Sequence, residues 1–285
     1  MRDYIVMTDS CCDLSQQEVE ELELTVLPLS FTIEGKTPWN TPDHADMSPE
    51  EFFAKIAAGA VNVGQFTDAM EKVLQEGKDI LCVCFSSALS TTYQSACIAA
   101  EDLREKYPEA KILVIDSLSA SRGQGMLLYR AVRERREKNL TIDELDAYVR
   151  SIIQSQCHWF IVDDLNHLKR GGRVSSTAAL VGTMLGIKPV LHVDDEGHLI
   201  PMEKVRGRRQ SLDALVEHMA KTGIDNAHQT VFISHGDCLE DAEFVAGEVR
   251  RRLGVETVHI NYVGPVIGNH SGPGTLALFF LGSRR

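Results

Sequence analysis

The sequence predicts an α/β fold made of two domains. Short runs of β-branched and apolar residues alternate with longer amphipathic stretches, which is the pattern of strands followed by helices. The chain has 285 residues, which exceeds the commonest length of a single domain. The composition becomes basic and glycine-rich after Asp164, so we place the boundary near residue 160, with an N-terminal α/β domain at 1–160 and a C-terminal α/β domain at 161–285.

Strands and helix starts follow from local patterns. Capping pairs mark helix starts, because a hydroxyl residue followed three positions later by Glu satisfies the free amides of the first turn; these pairs are Ser15 with Glu18, Ser48 with Glu51 and Thr141 with Glu144. A hairpin is predicted at 194–197. Apolar runs predict strands in the first domain at 4–7, 25–33, 80–85, 112–115 and 159–162, and α/β alternation returns at 213–219, 230–234, 242–253 and 257–260.

The charge balance and the apolar runs limit the possible partners. The chain carries 29 basic and 41 acidic residues, a formal net charge of −12, which repels nucleic acid and anionic membrane surfaces. Apolar runs such as 275–281 are far shorter than the roughly 20 residues that cross a bilayer, and Asp3 and Asp9 interrupt the amino terminus before any signal-peptide core. We therefore expect a soluble cytoplasmic protein with no integral membrane span and no nucleic-acid partner.

The seven cysteines favour free buried thiols over a metal site. Cys82 and Cys84 are two positions apart in an apolar strand pattern, so both point to the same side. Together with Cys11 and Cys12 they lack the paired CxxC or CxxH spacing of a zinc site. No metal is expected.

Motifs of common enzymes are missing from the sequence. Neither GxxxxGK[ST] nor GxGxxG occurs, which removes the usual support for nucleotide binding. GxSxG, HExxH and a DFG-like element are also absent, so no hydrolase or kinase nucleophile is visible. We therefore expect no catalytic residues and no cofactor.

Two segments could bind an anion. In SSALSTTYQSA, residues 86–96, a buried strand meets several hydroxyl residues and then a helix start, with Ser90 at the expected cap; free amides and the helix dipole favour a carboxylate there. The alternative is that Ser90 only caps its own helix. In the glycine-rich loop 264–275, His270 could donate a hydrogen bond to an anion, or be purely structural.

Four collinear segments resemble the DegV family, the bacterial fatty-acid-binding proteins of the FakB type. SSALSTTYQSA resembles the family signature SSxLSGTYxSA, and residues 8–14 resemble TDSxxDL. LKRGGRV resembles LxxGGRI, and GPVIGNHSGPGTLAL resembles GPVIGxHxGPG. The resemblance covers nearly the whole chain, and it implies two α/β domains with a ligand tunnel between them.

The resemblance further implies a long-chain fatty acid whose carboxylate is held by hydroxyls and a histidine, here Ser90 and His270. The family Thr of a TSQP-like motif is replaced by Val63, so the amides of Gly64 and Gln65 or the side chain of Asn62 are expected to compensate. Thr91 stands in place of the signature Gly, beside Ser90.

The resemblance also implies a partner, a fatty acid kinase that converts the bound acid into an acyl-phosphate. Arg173, Arg206, Arg208 and Arg209 are candidates for docking that kinase, or form a solvated basic face. Two other functions remain open: a small-molecule phosphotransfer enzyme related to the substrate domain of dihydroxyacetone kinases, which would need a compact polar pocket near His270, and a DegV-like interaction protein that has lost its ligand.

Overall fold

Two β-sheets with helices on their faces form the protein in the computed structural model, which describes residues 2–30, 39–43, 62–174 and 186–285. The predicted α/β class is confirmed. The predicted helix start at Ser48 lies outside the described residues.

The first sheet has four parallel strands in the order β2-β1-β5-β6. Its strands are β1 Tyr4–Asp9, β2 Thr25–Leu27, β5 Asp79–Cys84 and β6 Ile112–Asp116. Two short antiparallel strands, β3 Leu29–Ser30 and β4 Trp39–Asn40, form a separate ribbon. Every side chain of β5 is buried, as expected for a parallel strand that is covered on both faces.

The second sheet has six strands in the order β11-β10-β12-β7-β8-β9. Its strands are β7 Gln156–Ile161, β8 Ile187–Val193, β9 Leu199–Arg206, β10 Thr230–His235, β11 Thr257–Tyr262 and β12 Leu276–Leu281. Only β10 and β11 pair in parallel, and the other neighbours are antiparallel. The predicted hairpin connects β8 to β9, with the amide of Asp194 donating to the carbonyl of His198 at 2.9 Å. The proposed boundary near residue 160 falls inside β7, which belongs to this second sheet.

Nine α-helices lie within the described residues. They are α1 Gln16–Glu21, α2 Val63–Gln75, α3 Thr92–Lys106, α4 Arg122–Lys138, α5 Ile142–Ile152, α6 Leu165–Arg170, α7 Arg208–Thr222, α8 Leu239–Leu253 and α9 Pro265–Ser271. The capping boxes predicted at Ser15 and Thr141 are both present. A further capping box starts α2, where Asn62 is the cap and Gln65 the reciprocal partner.

Three apolar clusters hold these layers together. Helices α2 and α3 cover one face of the first sheet, and α7 and α8 cover one face of the second. The third cluster contains side chains of both sheets, such as Val83 and Phe279, together with α4 and α5. Helix α4 is therefore buried between the two sheets.

The first turn of α4 joins the two sheets by polar contacts. The hydroxyl of Ser121 donates to Oδ2 of Asp13 at 2.5 Å and lies 2.7 Å from Oγ of Ser234 in β10. Arg122 is 1% exposed, and its Nη1 donates to Glu18 of α1 at 3.0 Å. Nδ1 of His259 in β11 lies 3.0 Å from Oε1 of the same carboxylate. Burial raises the pKa of Glu18, but the hydrogen bond with His259 and the charge of Arg122 outweigh this and lower it well below its usual range.

We expect Glu18→Gln to lower the free energy of unfolding by about 3–5 kcal/mol, since it leaves the buried guanidinium of Arg122 without a counter-charge. Gln at position 18 can still form the capping box with Ser15, so the change removes only the negative charge of the side chain. Urea unfolding followed by circular dichroism measures the effect. The matched control is Glu23→Gln, which breaks an exposed pair with Arg136 and should cost less than about 1 kcal/mol. Equal effects of both variants would contradict this account.

Candidate functional site

A largely apolar cavity lies between the two sheets, with about 780 Å³ of space not occupied by atoms, part of it open to solvent. A concave site with mostly apolar walls and a few polar groups is typical of small-molecule sites. The apolar walls come from the loops after β5 and β6, from strands of the second sheet, and from α6, α9 and the turn before α9. They consist of Phe85, Leu89, Ala120, Phe160, Leu168, Val193, Leu199, Val263, Val266, Ile267, Ala277 and Phe279.

The loop between β5 and α3 supplies the wall at Phe85, Leu89 and Ser90. Two buried or half-buried carboxylates at strand ends shape this loop: Asp9 accepts from the amide of Phe85 at 2.8 Å, and Asp116 accepts from the amide of Ser87 at 3.1 Å. The polar strand ends of the first sheet therefore hold the loop that carries the site, as ordinary turn residues do.

Ser90 faces the cavity just before α3, and its predicted role as the helix cap needs correction. The cap position is Thr91, whose side chain makes no capping hydrogen bond. The hydroxyl of Ser90 accepts from the amide of Thr92 at 3.3 Å and lies 2.9 Å from Oγ1 of Thr92. Ser90 therefore satisfies an amide at the start of α3 from the position before the cap residue, and it still lines the cavity.

His270 lines the same cavity from α9, near the end of that short helix. Burial and the nearby positive charge of Arg173 lower the pKa of His270 to about 4. A neutral imidazole has one N–H donor and one bare nitrogen, so His270 can donate a hydrogen bond without bringing a charge.

Arg173 is also in the cavity wall. Its Nε donates to the carbonyl of Leu89 at 3.0 Å, next to Ser90, and its Nη1 donates to the carbonyl of Gly171. Sequence reasoning assigned Arg173 to partner docking, and the structure places it beside the two anion candidates. A guanidinium keeps its charge when half-buried, so this end of the cavity carries a formal positive charge.

Helices α6 and α9 approach each other through two glycine–histidine contacts. A Cβ atom at Gly171 would overlap Nδ1 of His270, and a Cβ atom at Gly272 would overlap the ring of His167. Gly272 also has φ +77°, which ends α9 and favours glycine. These contacts fix where His270 stands relative to the turn that carries Arg173.

Four polar wall residues were not predicted from the sequence: Ser121, His158, Ser271 and Thr275. Ser121 lines the cavity at the start of α4, and Ser271 follows His270 with its buried Oγ unpaired among the described residues. His158 lines it from β7. The available signal for His158 was a polar residue at an alternate position of an apolar strand, but the predicted strand began one residue later, at Trp159.

The remaining predicted contacts do not line the described walls of this cavity. Asn62 and Gln65 bond each other's amides at 3.0 and 3.1 Å in the capping box of α2, and Gly64 and Thr91 are exposed. Val63 packs against the cluster that contains Phe85 and Leu89. The role of these positions in ligand binding stays a prediction.

The four predicted docking arginines fall into different environments. Arg206 and Arg209 are exposed, and the guanidinium of Arg209 lies over the ring of Phe244 at 3.2 Å. The side chain of Arg208 is mostly buried and fully engaged in hydrogen bonds. It donates to Asp241 at 2.8 Å, to the carbonyl of Gly274 at 2.7 Å and to Asp163 at 3.2 Å.

Other chemistry was sought across the described residues. No group of three His, Cys, Asp or Glu side chains there could hold a metal ion, and no helix among them is long and apolar enough to span a membrane. All seven cysteines are free thiols, and the sulfur atoms of Cys82 and Cys84 lie 3.6 Å apart, which confirms their predicted common side.

Comparison with known proteins places these features in a family. Residues 4–283 match the family described as Uncharacterised protein, DegV family. A DegV domain-containing protein of Clostridium perfringens is 41% identical over 291 residues, covering 100% of this chain and 99% of its own length. A relative from Lactococcus lactis is 36% identical over 282 residues, covering 97% of this chain and 96% of its own.

Solved structures agree with this placement. A DegV lipid-binding protein of Thermotoga maritima superposes with TM-score 0.84 and 26% identity, covering 99% of both chains. A structure of a DegV family protein of Thermus thermophilus, described by its fatty acid binding, superposes with TM-score 0.86 and 26% identity, covering 99% of this chain and 100% of its own.

We expect the pKa of His270 measured by NMR titration of its ring protons to be about 4. Arg173→Met should raise it toward the ordinary value, because one of the two causes of the shift is removed.

Below about pH 6.5 the imidazole of His270 takes up a proton in the unfolded chain but not in the folded chain, so this residue lowers the free energy of unfolding as the pH falls toward 4.

The internal control is His228, which is exposed and whose pKa is raised by its hydrogen bond to Asp225. His228 should titrate above His270 in both proteins. An unchanged His270 pKa in Arg173→Met would show that Arg173 does not act on the ring.

Proposed function

Because this chain belongs to the DegV family, we propose that it binds a long-chain fatty acid in the cavity between its two sheets. The observation that carries the proposal is the grouping of Ser90, Arg173 and His270 on the wall of one largely apolar cavity. The fatty acid and lipid binding described for the Thermus thermophilus and Thermotoga maritima proteins supports it.

The carboxylate would lie against Ser90, Arg173 and His270. Arg173 supplies the opposite charge, and charge-assisted hydrogen bonds are roughly twice as strong as neutral ones. The hydroxyl of Ser90 and the N–H of neutral His270 supply further donors, and the unpaired hydroxyl of Ser271 adjoins them. We keep Asn62, Gly64, Gln65 and Thr91 as proposed outer contacts. This proposal is supported by their neighbour Val63, which packs against the apolar cluster that contains Phe85 and Leu89.

The apolar walls would hold the acyl chain. Burying each methylene contributes about 0.8 kcal/mol, so affinity should rise with chain length until the cavity is full. The phosphotransfer alternative requires a compact polar pocket near His270, and the apolar residues around His270, such as Val266, Ile267 and Leu168, favour an acyl chain instead. The grouping of Ser90, Arg173 and His270 on the wall of one apolar cavity argues against a protein that has lost its ligand.

Ser90→Ala should weaken the binding of a long-chain fatty acid about tenfold to a hundredfold, since it removes a hydrogen bond to a charged group. Isothermal titration calorimetry of the delipidated protein with octadecanoic acid measures the change.

Ser95→Ala is the matched control: it removes a hydroxyl from α3, the helix that follows Ser90, away from the cavity wall, and should leave the affinity unchanged. Wild-type protein that binds no long-chain acid would overturn the proposed function. Unchanged affinity in Ser90→Ala would place the carboxylate elsewhere.

We also propose that the bound acid is presented to a fatty acid kinase, which docks on the surface formed by the edge strand β9 and the start of α7. Arg206 and Arg209 are exposed cations in an otherwise acidic chain, and Met202 on the same edge strand is 51% exposed. Exposed arginines beside an exposed apolar side chain are typical of protein interfaces. Arg208, with three protein partners, would hold the surface in shape.

Reversing both charges, Arg206→Glu with Arg209→Glu, should reduce acyl-phosphate formation by a fatty acid kinase more than tenfold, because like charges across an interface oppose association. Fatty acid affinity should not change, since neither residue lines the cavity. Arg251→Glu with Arg252→Glu, on α8, is the control pair. An equal loss in both double variants would argue against this docking surface.

A further inference from the structure

His158 is a polar residue in the apolar part of the cavity. Strand β7 alternates, with Cys157, Trp159 and Ile161 packing under α7 and α8 while His158 and Phe160 line the cavity. The imidazole is 1% exposed and contacts Phe279 with ring centroids 5.6 Å apart.

Neither ring nitrogen of His158 has a hydrogen-bond partner among the described residues. Burial and the nearby charge of Arg285 lower the pKa of His158 well below its usual value, so the ring is neutral and carries one donor and one acceptor. An apolar residue of similar size would avoid the cost of burying these two polar atoms unpaired. The ring therefore has hydrogen-bonding capacity that the described residues do not use.

The ring cannot swing away to find another partner. The backbone of Gly123 in α4 approaches the ring so closely that a Cβ there would overlap Cδ2 and Nε2, and the ring of Phe279 packs against the imidazole in a T-shaped contact. Nearby Arg285 is itself engaged, donating to the carbonyls of Gln156, Asp194 and Ile153 at 3.1 Å each. His158 is thus a fixed polar group in the cavity wall.

Its place on the second sheet is several residues along β12 from the end of α9, the helix that carries His270. The hydroxyl of Thr275 donates to the carbonyl of Gly272 at the end of α9, and β12 begins at the next residue. Phe279, which pairs with His158 across the sheet, lies four residues after Thr275. Four residues of a strand span roughly 13 Å. An acyl chain held at Ser90 and His270 would pass His158 far from its carboxyl group.

We propose that the ligand class of this cavity is a long-chain fatty acid with an uncharged hydroxyl substituent on the inner part of its chain, hydrogen-bonded to His158. A hydroxyl can donate to the bare nitrogen or accept from the N–H, so it suits either tautomer. A second carboxylate fits poorly, because a neutral imidazole offers no charge to offset its desolvation. The inference rests on the proposed function and specifies its ligand.

The test compares octadecanoic acid with its monohydroxy isomers, substituted at successive carbons from the carboxyl end to the methyl end. Calorimetry on the full-length wild-type chain should find one inner-chain isomer that binds about tenfold tighter than the unsubstituted acid. In His158→Leu that preference should vanish, while octadecanoic acid binds at least as well. His192→Leu, which replaces a histidine of the neighbouring strand β8 that does not line the cavity, is the control and should keep the preference.

The outcomes separate the two proposals. Wild-type protein that binds octadecanoic acid but ranks it above every hydroxy isomer would overturn the inference and leave the proposed function standing. The same holds if His158→Leu keeps the isomer preference. Wild-type protein that binds neither acid would overturn the proposed function and the inference with it. The isomer ranking needs no variant, so it decides the question even if His158→Leu fails to fold.

Discussion

The close packing of the first turn of α4 between the two sheets is the constraint on which the rest of the structure depends. Gly125 faces the carbonyl of Cys12 on the side of the first sheet, and Gly123 faces the ring of His158 in the second, and neither position has room for a Cβ atom. Ser121 adds hydrogen bonds to Asp13 and Ser234, one from each half of the chain. Since protein interiors tolerate little change in volume, this turn sets the distance between the sheets and hence the width of the cavity beside it.

The distribution of polarity along the cavity follows from which elements line it. Arg173 and His270 stand on turns and a short helix, where backbone groups such as the carbonyl of Leu89 can hold a charged side chain. The walls formed by the strands carry alternating side chains, which bury apolar residues unless one position is polar. The formal charge is therefore confined to the part of the cavity lined by turns, where Arg173 stands. The uncharged ring of His158 is the polar exception on the part lined by strands.

Much of the fold and part of the site could be predicted from the sequence. The strands and the capping boxes at Ser15 and Thr141 depend on local patterns, and Ser90 and His270 were found because each stands in a motif with a local physical reason. Arg173 was assigned to a surface, because nothing in its neighbours reveals that the turn folds back toward Leu89. Asn62 and Gln65, predicted as ligand contacts, also carry the spacing of a capping box, and the structure shows that capping box. The role of each residue that was not predicted depends on tertiary contacts, and the periodicity of the sequence does not encode those contacts.

One contact network connects the proposed head-group site with the proposed docking surface. Arg208, at the start of α7, bonds the carbonyl of Gly274 just after α9 and the carboxylate of Asp163 just before α6. Helices α6 and α9 are in turn fixed to each other by the pairs Gly171–His270 and Gly272–His167. A partner that contacts Arg206 and Arg209 would therefore press on a helix start that is bonded to both loops around the carboxylate. The arginine that is least available for docking is therefore the one that is bonded to the loops of both proposed sites.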